Sequence, residues 1–417
     1  MPLTGFSQYL TPIDSFFVRS HVYTPRVDAS QWRLSIGGDV ERPLSLTLDE
    51  LKRLPGSELV SVLECAGNGR RFYEPSVPGV QWGHGAVGNA RWRGVRLADV
   101  LKRAGIRSST REILFDAADV PIGTMPDFQR SIPVAKALDA ATLLAYEMNG
   151  EALPIEHGFP LRVIAPGWAG DSWVKWVTSV TALTKPHDGF WMARAYRYPV
   201  RPVAPGTVVS PDQMQPVTSL RVKSVISDPI DGARVLDRRR MVIRGVAWGG
   251  DAGPITSVDV STDGGRSWWS ATMRRNQRTA FGWQQWEYEW TPNGTGTFTI
   301  LSRAKDASGN RQPLEQEWNP SGYLWNVVPR VAVSVVTTVT SPPTVEPVSS
   351  SAIEPPPAFK ATCTACHQDD VVRQQRLTRA QWDAEITKMT GWGAKVADPD
   401  RRVLLDYLAG AFGPRTP

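Results

Sequence analysis

The chain has 417 residues, 41% hydrophobic and 21% charged, which are the proportions of a globular protein too long for a single hydrophobic core, so two or three domains are expected. Its net charge of +6 comes from scattered basic residues, with Arg238 to Arg240 as the longest basic run, which argues against nucleic-acid binding and favours an anionic substrate or an acidic protein partner. No window approaches the roughly 20 consecutive apolar residues of a membrane-spanning helix, so no membrane span is expected.

Residues 1–216 alternate short β-rich runs with helical patterns, which predicts an α+β domain. In LTLDELKRLPG, Thr47 and Glu50 occupy the positions of a helix N-terminal capping box, and Pro55 marks the end of the helix. A second helix, in VRLADVLKRAG, carries basic residues in its last turn and ends at Gly105.

Residues 217–335 contain short strands separated by Gly, Asp and Asn turns, among them MVIRGVAW, TSVDVSTDGGRSWW and TFTILSRAKDASGN. Several of them alternate apolar and polar residues, so this region is predicted to be an immunoglobulin-like β-sandwich. Its tryptophans are expected to fill the core rather than to form a binding platform, because aromatic rings bury so much apolar area.

Residues 336–358 are rich in Pro, Ser, Thr and Val, which predicts an extended, semi-rigid linker. Residues 359–417 form a small terminal module with helical patterns, so this module is predicted to be all-α. Thr378 is the expected N-cap of one helix, and Asp398 is the expected cap of the last, with Pro399 at its first position.

The segment CTACH indicates a covalently bound haem in the terminal module. Cys363 and Cys366 are spaced to form thioether bonds to one haem c, and the adjacent His367 is positioned to ligate its iron. A zinc site would need further Cys or His ligands, and none follows His367; a redox dithiol would have no need of the histidine. The module therefore resembles a small class I type cytochrome c domain.

Met389 is the expected sixth ligand of the haem iron, because it is the only methionine after Met273. The alternative is that it fills the core of its helix. Haem attachment through CTACH implies export, so a periplasmic location is expected. The first 14 residues lack the basic start and apolar core of a secretory signal, so the leader is expected to be absent from this sequence.

The third cysteine, Cys65, lies in SVLECAGNGRRFYEP, far from the other two. A lone buried cysteine is usually a small hydrophobic residue. Here it precedes a turn rich in Gly and Asn, and the charges of Arg70 and Arg71 would favour a thiolate. A thiolate at this point could serve as a soft metal ligand or as a nucleophile.

Five motifs follow one another within residues 5–200: FFVRSH, LECAGNGRR, GVQWGHGAVGNARWRGVRLADVL, LLAYEMNGEALPIEHGFPLRVIAPG and VKWVTSV. Together and in this order they resemble the sulfite oxidase family of molybdenum enzymes. The following β-sandwich resembles the dimerisation domain of that family, which implies a homodimer. The resemblance also implies that Cys65 is the protein ligand of molybdenum, whose other sulfur ligands come from a pyranopterin, molybdopterin.

Other site residues follow from the resemblance by position. Those matched to residues that hold the pterin and its phosphate are Arg19, His21, Asp119, His157, Arg162 and Lys175. A buried phosphate favours the forked donors of arginine and the point charge of lysine. Those matched to residues that bind the anionic substrate are Arg19, Arg70 and Tyr196. The segment GWAGDSW departs from the family pattern before Lys175, so pterin contacts from Asp171 to Trp173 are not implied.

One further departure concerns the substrate. The family places another arginine late in the β-sandwich, where this chain has Ser321 in WNPSGYLWN. The substrate pocket is therefore expected to be less positive than that of typical sulfite oxidases, unless Arg71 or a nearby arginine compensates.

The sequence thus predicts oxidation of sulfite to sulfate at molybdenum, with electrons passing singly through the haem to an external acceptor such as a soluble cytochrome c. The alternatives are oxidation of another reduced sulfur compound, reduction of a sulfoxide, or a non-enzymatic electron carrier with a degenerate molybdenum domain. Nitrate reduction ranks lower, because the flavin and haem b module that accompanies it is absent. Docking of the terminal module is expected to be transient and partly electrostatic, through Asp369, Asp370 and Glu385.

Overall fold

The computed structural model describes residues 1–274, 279–338, 354–365 and 369–414. The strands up to residue 216 are β1 Leu34–Gly38, β2 Leu44–Leu46, β3 Gly56–Glu64, β4 Val87–Arg96, β5 Glu112–Ala117, β6 Arg130–Pro133, β7 Leu143–Met148, β8 Glu151–Ala152, β9 Arg162–Ile164, β10 Val177–Leu183, β11 Arg197–Pro199 and β12 Met214–Pro216. The α-helices are α1 Leu48–Lys52, α2 Leu97–Ala104, α3 Val134–Ala137 and α4 Phe190–Ala193. Short 3₁₀ helices span Leu3–Ser7, Ile13–Ser15, Arg70–Phe72, Ile155–His157, Gly170–Ser172 and Pro211–Gln213.

Two larger sheets organise this mixed α/β region. One has the strand order β2-β1-β10-β5-β6, and only its β1–β10 pair is parallel. The other has the order β3-β4-β7-β8, with β9 also paired to β7. The predicted capping box of α1 is present, since the Thr47 side chain accepts from the Glu50 backbone and the Glu50 side chain accepts from the Thr47 backbone. Helix α2 ends as predicted at Gly105, which adopts the left-handed conformation.

The next region is a β-sandwich. Its strands are β13 Lys223–Asp228, β14 Ala233–Leu236, β15 Met241–Trp248, β16 Ile255–Ser261, β17 Trp269–Ser270, β18 Thr272–Met273, β19 Gln284–Trp290, β20 Gly296–Asp306 and β21 Arg330–Val336. They form one sheet with the order β13-β15-β19-β18 and another with the order β14-β21-β20-β16-β17. Trp286 and Trp290 fill the core between the sheets, as predicted, whereas Trp269 at a strand end is exposed.

The sandwich and the preceding region share a hydrophobic core. Phe6 of the N-terminal segment contacts the rings of Trp248 and Trp283 from the sandwich. Val62 of β3 and Leu324 of the late sandwich loop belong to the same buried cluster. Because each side buries apolar surface against the other, these two regions stabilise one another.

The described part of the terminal module is helical, with α5 Pro357–Cys363, α6 Asp370–Arg373, α7 Arg379–Gly391 and α8 Asp398–Ala411. Thr378 caps α7 as predicted, and Gln381 completes a capping box. The predicted cap of α8 is wrong by one residue, because Ala397 is the N-cap and Asp398 is already helical. There its carboxylate still lies at the positive end of the helix dipole. Most of the predicted linker, 339–353, lies outside the described residues.

The terminal module contacts the first region through main-chain groups. The backbone N–H of Gln81 donates to the carbonyl of Gln374 over 3.0 Å, and that of Thr124 donates to the carbonyl of Trp392 over 3.1 Å. The hydroxyl of Tyr23 donates to the carbonyl of Thr364. Among the described residues, no helix has both the length and the apolar character needed to cross a membrane.

Candidate active site

Cys65 lies directly after β3, in a turn that leaves no room for larger residues. Its backbone N–H donates to the carbonyl of Ala86 over 2.9 Å, and its own carbonyl accepts from the N–H of Asn68. Gly69 has φ +90°, and a Cβ added there would lie 2.5 Å from the ring of Trp325. The Gly and Asn residues of AGNG therefore serve a tight, packed turn that presents the thiol.

A buried ion pair supports this turn from the sandwich side. The carboxylate of Glu64 pairs with the ammonium group of Lys223, and both side chains are almost fully buried. The same carboxylate accepts from the side-chain amide of Asn68 over 2.8 Å and from the indole N–H of Trp248 over 2.7 Å. Residues on both sides of Cys65 are thus fixed by hydrogen bonds.

The thiol itself is in a more apolar setting than the sequence suggests. Burial raises the pKa of Cys65, although the charges of Arg70 and Arg19 oppose this effect. Of the two arginines beside it in sequence, Arg70 favours the thiolate as expected, but burial has the larger effect. A bound metal would have to displace the thiol proton.

A cavity beside Cys65 brings together most of the predicted site residues. We call it the inner cavity; its volume is about 80 Å³. Every residue that the sequence assigned to the cofactor in this region lines it, together with Tyr196. These residues are Arg19, His21, Cys65, Asp119, His157, Arg162, Lys175 and Tyr196.

Three cations of the inner cavity, Arg19, Arg162 and Lys175, form no salt bridge with any residue that the structure describes. Arg162 is buried and donates to the carbonyls of His157 and Trp173, but its Nε has no partner among the described residues. Lys175 donates to the hydroxyl of Ser20 over 2.7 Å and to the carbonyl of Glu156. Burial lowers the pKa of Arg162 to about 9 and that of Lys175 well below its usual value. Buried positive charge of this kind favours a bound anion.

Burial shifts three other titratable groups of the inner cavity towards their neutral forms. Burial lowers the pKa of His157 to about 4 and that of His21 well below its usual value. Burial also raises the pKa of Asp119 to about 7. Neutral His21 stacks on Phe128 at 4.3 Å and shares a 2.9 Å hydrogen bond with the hydroxyl of Tyr196.

A buried ion pair that no sequence pattern indicated lies at this cavity. Arg130 and Asp171 pair at 2.5 Å, and the Arg130 guanidinium lies 5.4 Å from the ring centre of Tyr196. The second carboxylate oxygen of Asp171 and the hydroxyl of Ser172 are buried without a partner in the described chain. Asp171 lines the inner cavity, so GWAGDSW places a polar side chain there despite its departure from the family pattern.

A second, larger cavity adjoins the first and is open to substrate-sized molecules. We call it the mouth cavity; its volume is about 390 Å³. Of the residues predicted for the substrate site, it is lined by Arg19, Cys65, Arg70, Tyr196 and Ser321. Arg71 does not compensate for the missing arginine, because it is exposed and its guanidinium lies over the ring of Phe72.

One wall of the mouth cavity belongs to the terminal module. Lys388, Met389 and Trp392 line it opposite Arg70. The ring of Trp392 lies 6.0 Å from that of Phe190 and 6.5 Å from that of Trp191, centre to centre. A Cβ at Gly123 would lie 2.3 Å from the Trp392 carbonyl, so the two surfaces are in close contact.

The expected electrostatic docking of the terminal module differs from this arrangement. Asp369 pairs with Arg373 at 2.6 Å, and Glu385 pairs with Lys388 at 2.5 Å, so both carboxylates are satisfied within the module. The side chain of Asp370 lies outside the described residues. The contacts that the structure shows are aromatic and main-chain contacts, which salt screens little.

A third cavity lies inside the terminal module and is mainly apolar. We call it the helical cavity; Cys363 and Met389 line it together with side chains such as Trp382 and Leu404. Burial raises the pKa of Cys363 to about 11. Cys366 and His367 lie outside the described residues. Met389 lines both the helical and the mouth cavity, so the two cavities are neighbours.

The fold and this cluster define a molybdopterin oxidoreductase. Residues 21–191 match the family model described as "Oxidoreductase molybdopterin binding domain", and residues 214–336 match "Mo-co oxidoreductase dimerisation domain". The unpaired cations and orphaned polar atoms of the inner cavity fit such an anionic cofactor.

Similar proteins narrow the class to one family. Mitochondrial sulfite oxidase of Rattus norvegicus is 37% identical over 342 residues, covering 79% of this chain and 62% of that protein. Sulfite oxidase of Arabidopsis thaliana is 32% identical over 342 residues, covering 76% of this chain and 86% of the plant protein. The crystal structure of the sulfane dehydrogenase SoxCD from Paracoccus pantotrophus matches with a TM-score of 0.67 at 28% identity, covering 80% of this chain and 83% of that chain.

The chain belongs to the sulfite oxidase family of molybdenum enzymes. The match spans under two thirds of the rat protein, and both family models end before the terminal module. The predicted molybdopterin domain and β-rich dimerisation domain are therefore confirmed at the level of the family.

Proposed function

We propose that this protein oxidises sulfite or a related small sulfur oxyanion at a molybdenum centre, and that its terminal module carries a haem c. The observation that carries the proposal is the adjacency of two unlike cavities. The mouth cavity is lined by Cys65 and by arginines, and the apolar helical cavity is lined by Cys363. Met389 lines both cavities, so the two are in direct contact. Oxidation of sulfite with water yields sulfate, two protons and two electrons. The electrons would leave singly through the haem to an external acceptor such as a soluble cytochrome c.

The residues of the inner cavity would hold the cofactor. Arg162 and Lys175 offer buried charge to its phosphate, and His157 and Asp119 offer polar contacts. Cys65 offers the soft sulfur donor that molybdenum takes in this family. When bound, the molybdenum centre supplies the oxygen transfer and accepts the electron pair.

The residues of the mouth cavity would bind and orient the substrate. Arg19 and Arg70 supply positive charge, and Tyr196 is held by its hydrogen bond to His21. The terminal module forms one wall of this cavity, and partial exclusion of water by that wall would strengthen each electrostatic contact inside it. Typical sulfite oxidases have an arginine where this chain has Ser321. Without that positive charge, the mouth cavity favours a substrate that is less negatively charged than theirs.

For the haem, Cys363 and Cys366 would form the thioether bonds, and His367 and Met389 would be the axial ligands. The apolar lining of the helical cavity fits a haem, whose ring is largely hydrophobic. Haem attachment through CTACH supports a periplasmic location, which we also propose.

The test is metal analysis combined with turnover on sulfite, thiosulfate and nitrate, using oxidised cytochrome c as acceptor. Wild-type protein should contain molybdenum and haem and should reduce cytochrome c with sulfite or thiosulfate. Cys65→Ser should keep the haem spectrum but lose this activity, because an alcohol oxygen is a poor substitute for a thiolate donor. Full activity in Cys65→Ser, or molybdenum-replete protein inactive on both sulfur anions, would disprove the proposal.

A further inference from the structure

The late loop of the β-sandwich is fixed tightly against the turn that carries Cys65. Gly322 has φ +62°, and a Cβ added there would lie 2.4 Å from Val77 and 2.9 Å from Nε of Arg70. The backbone N–H of Leu324 donates to the carbonyl of Ala66 over 2.9 Å. The position of the intervening residue, Tyr323, is therefore determined by contacts on both sides.

The ring of Tyr323 is built into the wall of the mouth cavity. It stacks on Tyr196 with ring centres 5.5 Å apart and an angle of 14° between planes. The guanidinium of Arg70 lies 5.0 Å from its ring centre. The hydroxyl of Tyr73 donates to the carbonyl of Tyr323 over 2.7 Å and helps to fix the backbone.

Two neighbouring polar side chains of the cavity already have partners, although Nε of Arg70 has none among the described residues. Arg70 donates from Nη1 to the carbonyl of Val80 over 3.1 Å and from Nη2 to the carbonyl of Ser321 over 3.3 Å. The hydroxyl of Tyr196 shares its hydrogen bond with His21. By contrast, the hydrogen bonds of Tyr323 within the described chain involve its backbone, and its hydroxyl has none.

We propose that Tyr323 is a substrate-binding residue, whose hydroxyl donates a hydrogen bond to an oxygen of the bound oxyanion. It supplies a donor where Ser321 replaces the arginine of related enzymes and where Arg70 has committed two donors to carbonyl groups. The inference rests on the proposed function, since it assigns a role within the same substrate site. Burial raises the pKa of Tyr323, so the phenol stays protonated and able to donate at neutral pH.

Two substitutions separate the hydroxyl from the ring. Tyr323→Phe keeps the stack on Tyr196 and the contact with Arg70 but removes the donor. We expect the KM for sulfite to rise about tenfold, because a hydrogen bond to a charged group is lost, while kcat changes little. Tyr323→Leu also removes the stack, so kcat should fall as well. Tyr288→Phe is the matched control, because Tyr288 lies on β19 and lines neither cavity.

A second measurement does not depend on turnover. Inorganic phosphate is a non-reacting oxyanion, and its dissociation constant for oxidised holoenzyme can be measured by calorimetry. Tyr323→Phe should weaken phosphate binding by about the same factor as it raises KM, with unchanged molybdenum and haem content. An unchanged KM and phosphate affinity in an active enzyme would overturn the role of Tyr323 alone. A fall in kcat with lost molybdenum would show a structural role and overturn it too.

The proposed function fails separately. If wild-type holoenzyme oxidises neither sulfite nor thiosulfate, that function is wrong whatever the Tyr323 variants do. Weaker phosphate binding in Tyr323→Phe would then still support Tyr323 as an anion ligand, and unchanged binding would overturn it.

Discussion

Removing the ammonium group of Lys223 should destabilise the protein, because the carboxylate of Glu64 would stay buried without its cationic partner. Side-chain exposure is 6% for Lys223 and 4% for Glu64, so Lys223→Met would leave a buried charge. Breaking a buried pair in this way typically costs about 3 to 5 kcal/mol. Asn68 and Trp248 still donate to Glu64, so we expect a value near the lower end, about 3 kcal/mol.

The assay is urea unfolding of holoprotein at pH 7, followed by tryptophan fluorescence, with molybdenum content measured in parallel. The double variant Glu64→Gln, Lys223→Met should recover most of the loss, because no buried charge remains. Arg91→Met is the control, since its pair with Glu58 is about half exposed and such pairs contribute at most about 1 kcal/mol. A loss in Lys223→Met no larger than in Arg91→Met would refute the reasoning.

Three further predictions concern the cavities. Ser321→Arg adds a guanidinium to the mouth cavity and should lower the KM for sulfite about tenfold in steady-state assays; an unchanged or higher KM would contradict this. Trp392→Ala removes the contact with Phe190 and Trp191, so internal electron transfer, measured by flash photolysis, should become slower. The wild-type rate should vary little with ionic strength. The control is Trp269→Ala, because Trp269 is exposed. The pKa of His157 is about 4 when folded and about 6.5 when unfolded, so the unfolded state binds more protons between these values. The urea concentration at the unfolding midpoint should therefore fall as the pH is lowered from 6.5 to 4, and it should fall less steeply in His157→Gln. Equal slopes in the two proteins would exclude His157 as a source of this pH dependence.

Local sequence patterns gave the most reliable predictions of secondary structure. The capping residues Thr47 and Thr378 act within one helical turn, and both were predictable because their partners lie three residues away. The cap of α8 was displaced by one residue, which is the usual uncertainty of a helix boundary. The strands of the sandwich were visible because side chains alternate between core and solvent along each strand.

Which residues form the site was partly predictable from the sequence, but how they are arranged was not. Residues matched by family motifs do line the inner cavity, but their roles remain predictions. Arg130 and Asp171 meet across 41 residues, and Tyr323 reaches Tyr196 across 127, so no local pattern marks either contact. The burial of the Cys65 thiol was not predictable for the same reason, since it depends on contacts across the whole fold.

The core shared by Phe6, Trp248 and Trp283 bears on how such a chain could be recombined. Dividing the chain near residue 216 would expose apolar surface on both parts. Neither part would therefore be a suitable unit for fusion to another protein. The first two regions should therefore be exchanged between proteins only as one block. The terminal module has its own core around Trp382 and Leu404 and follows a Pro-rich stretch, so it is the part that evolution or an engineer could exchange for another module.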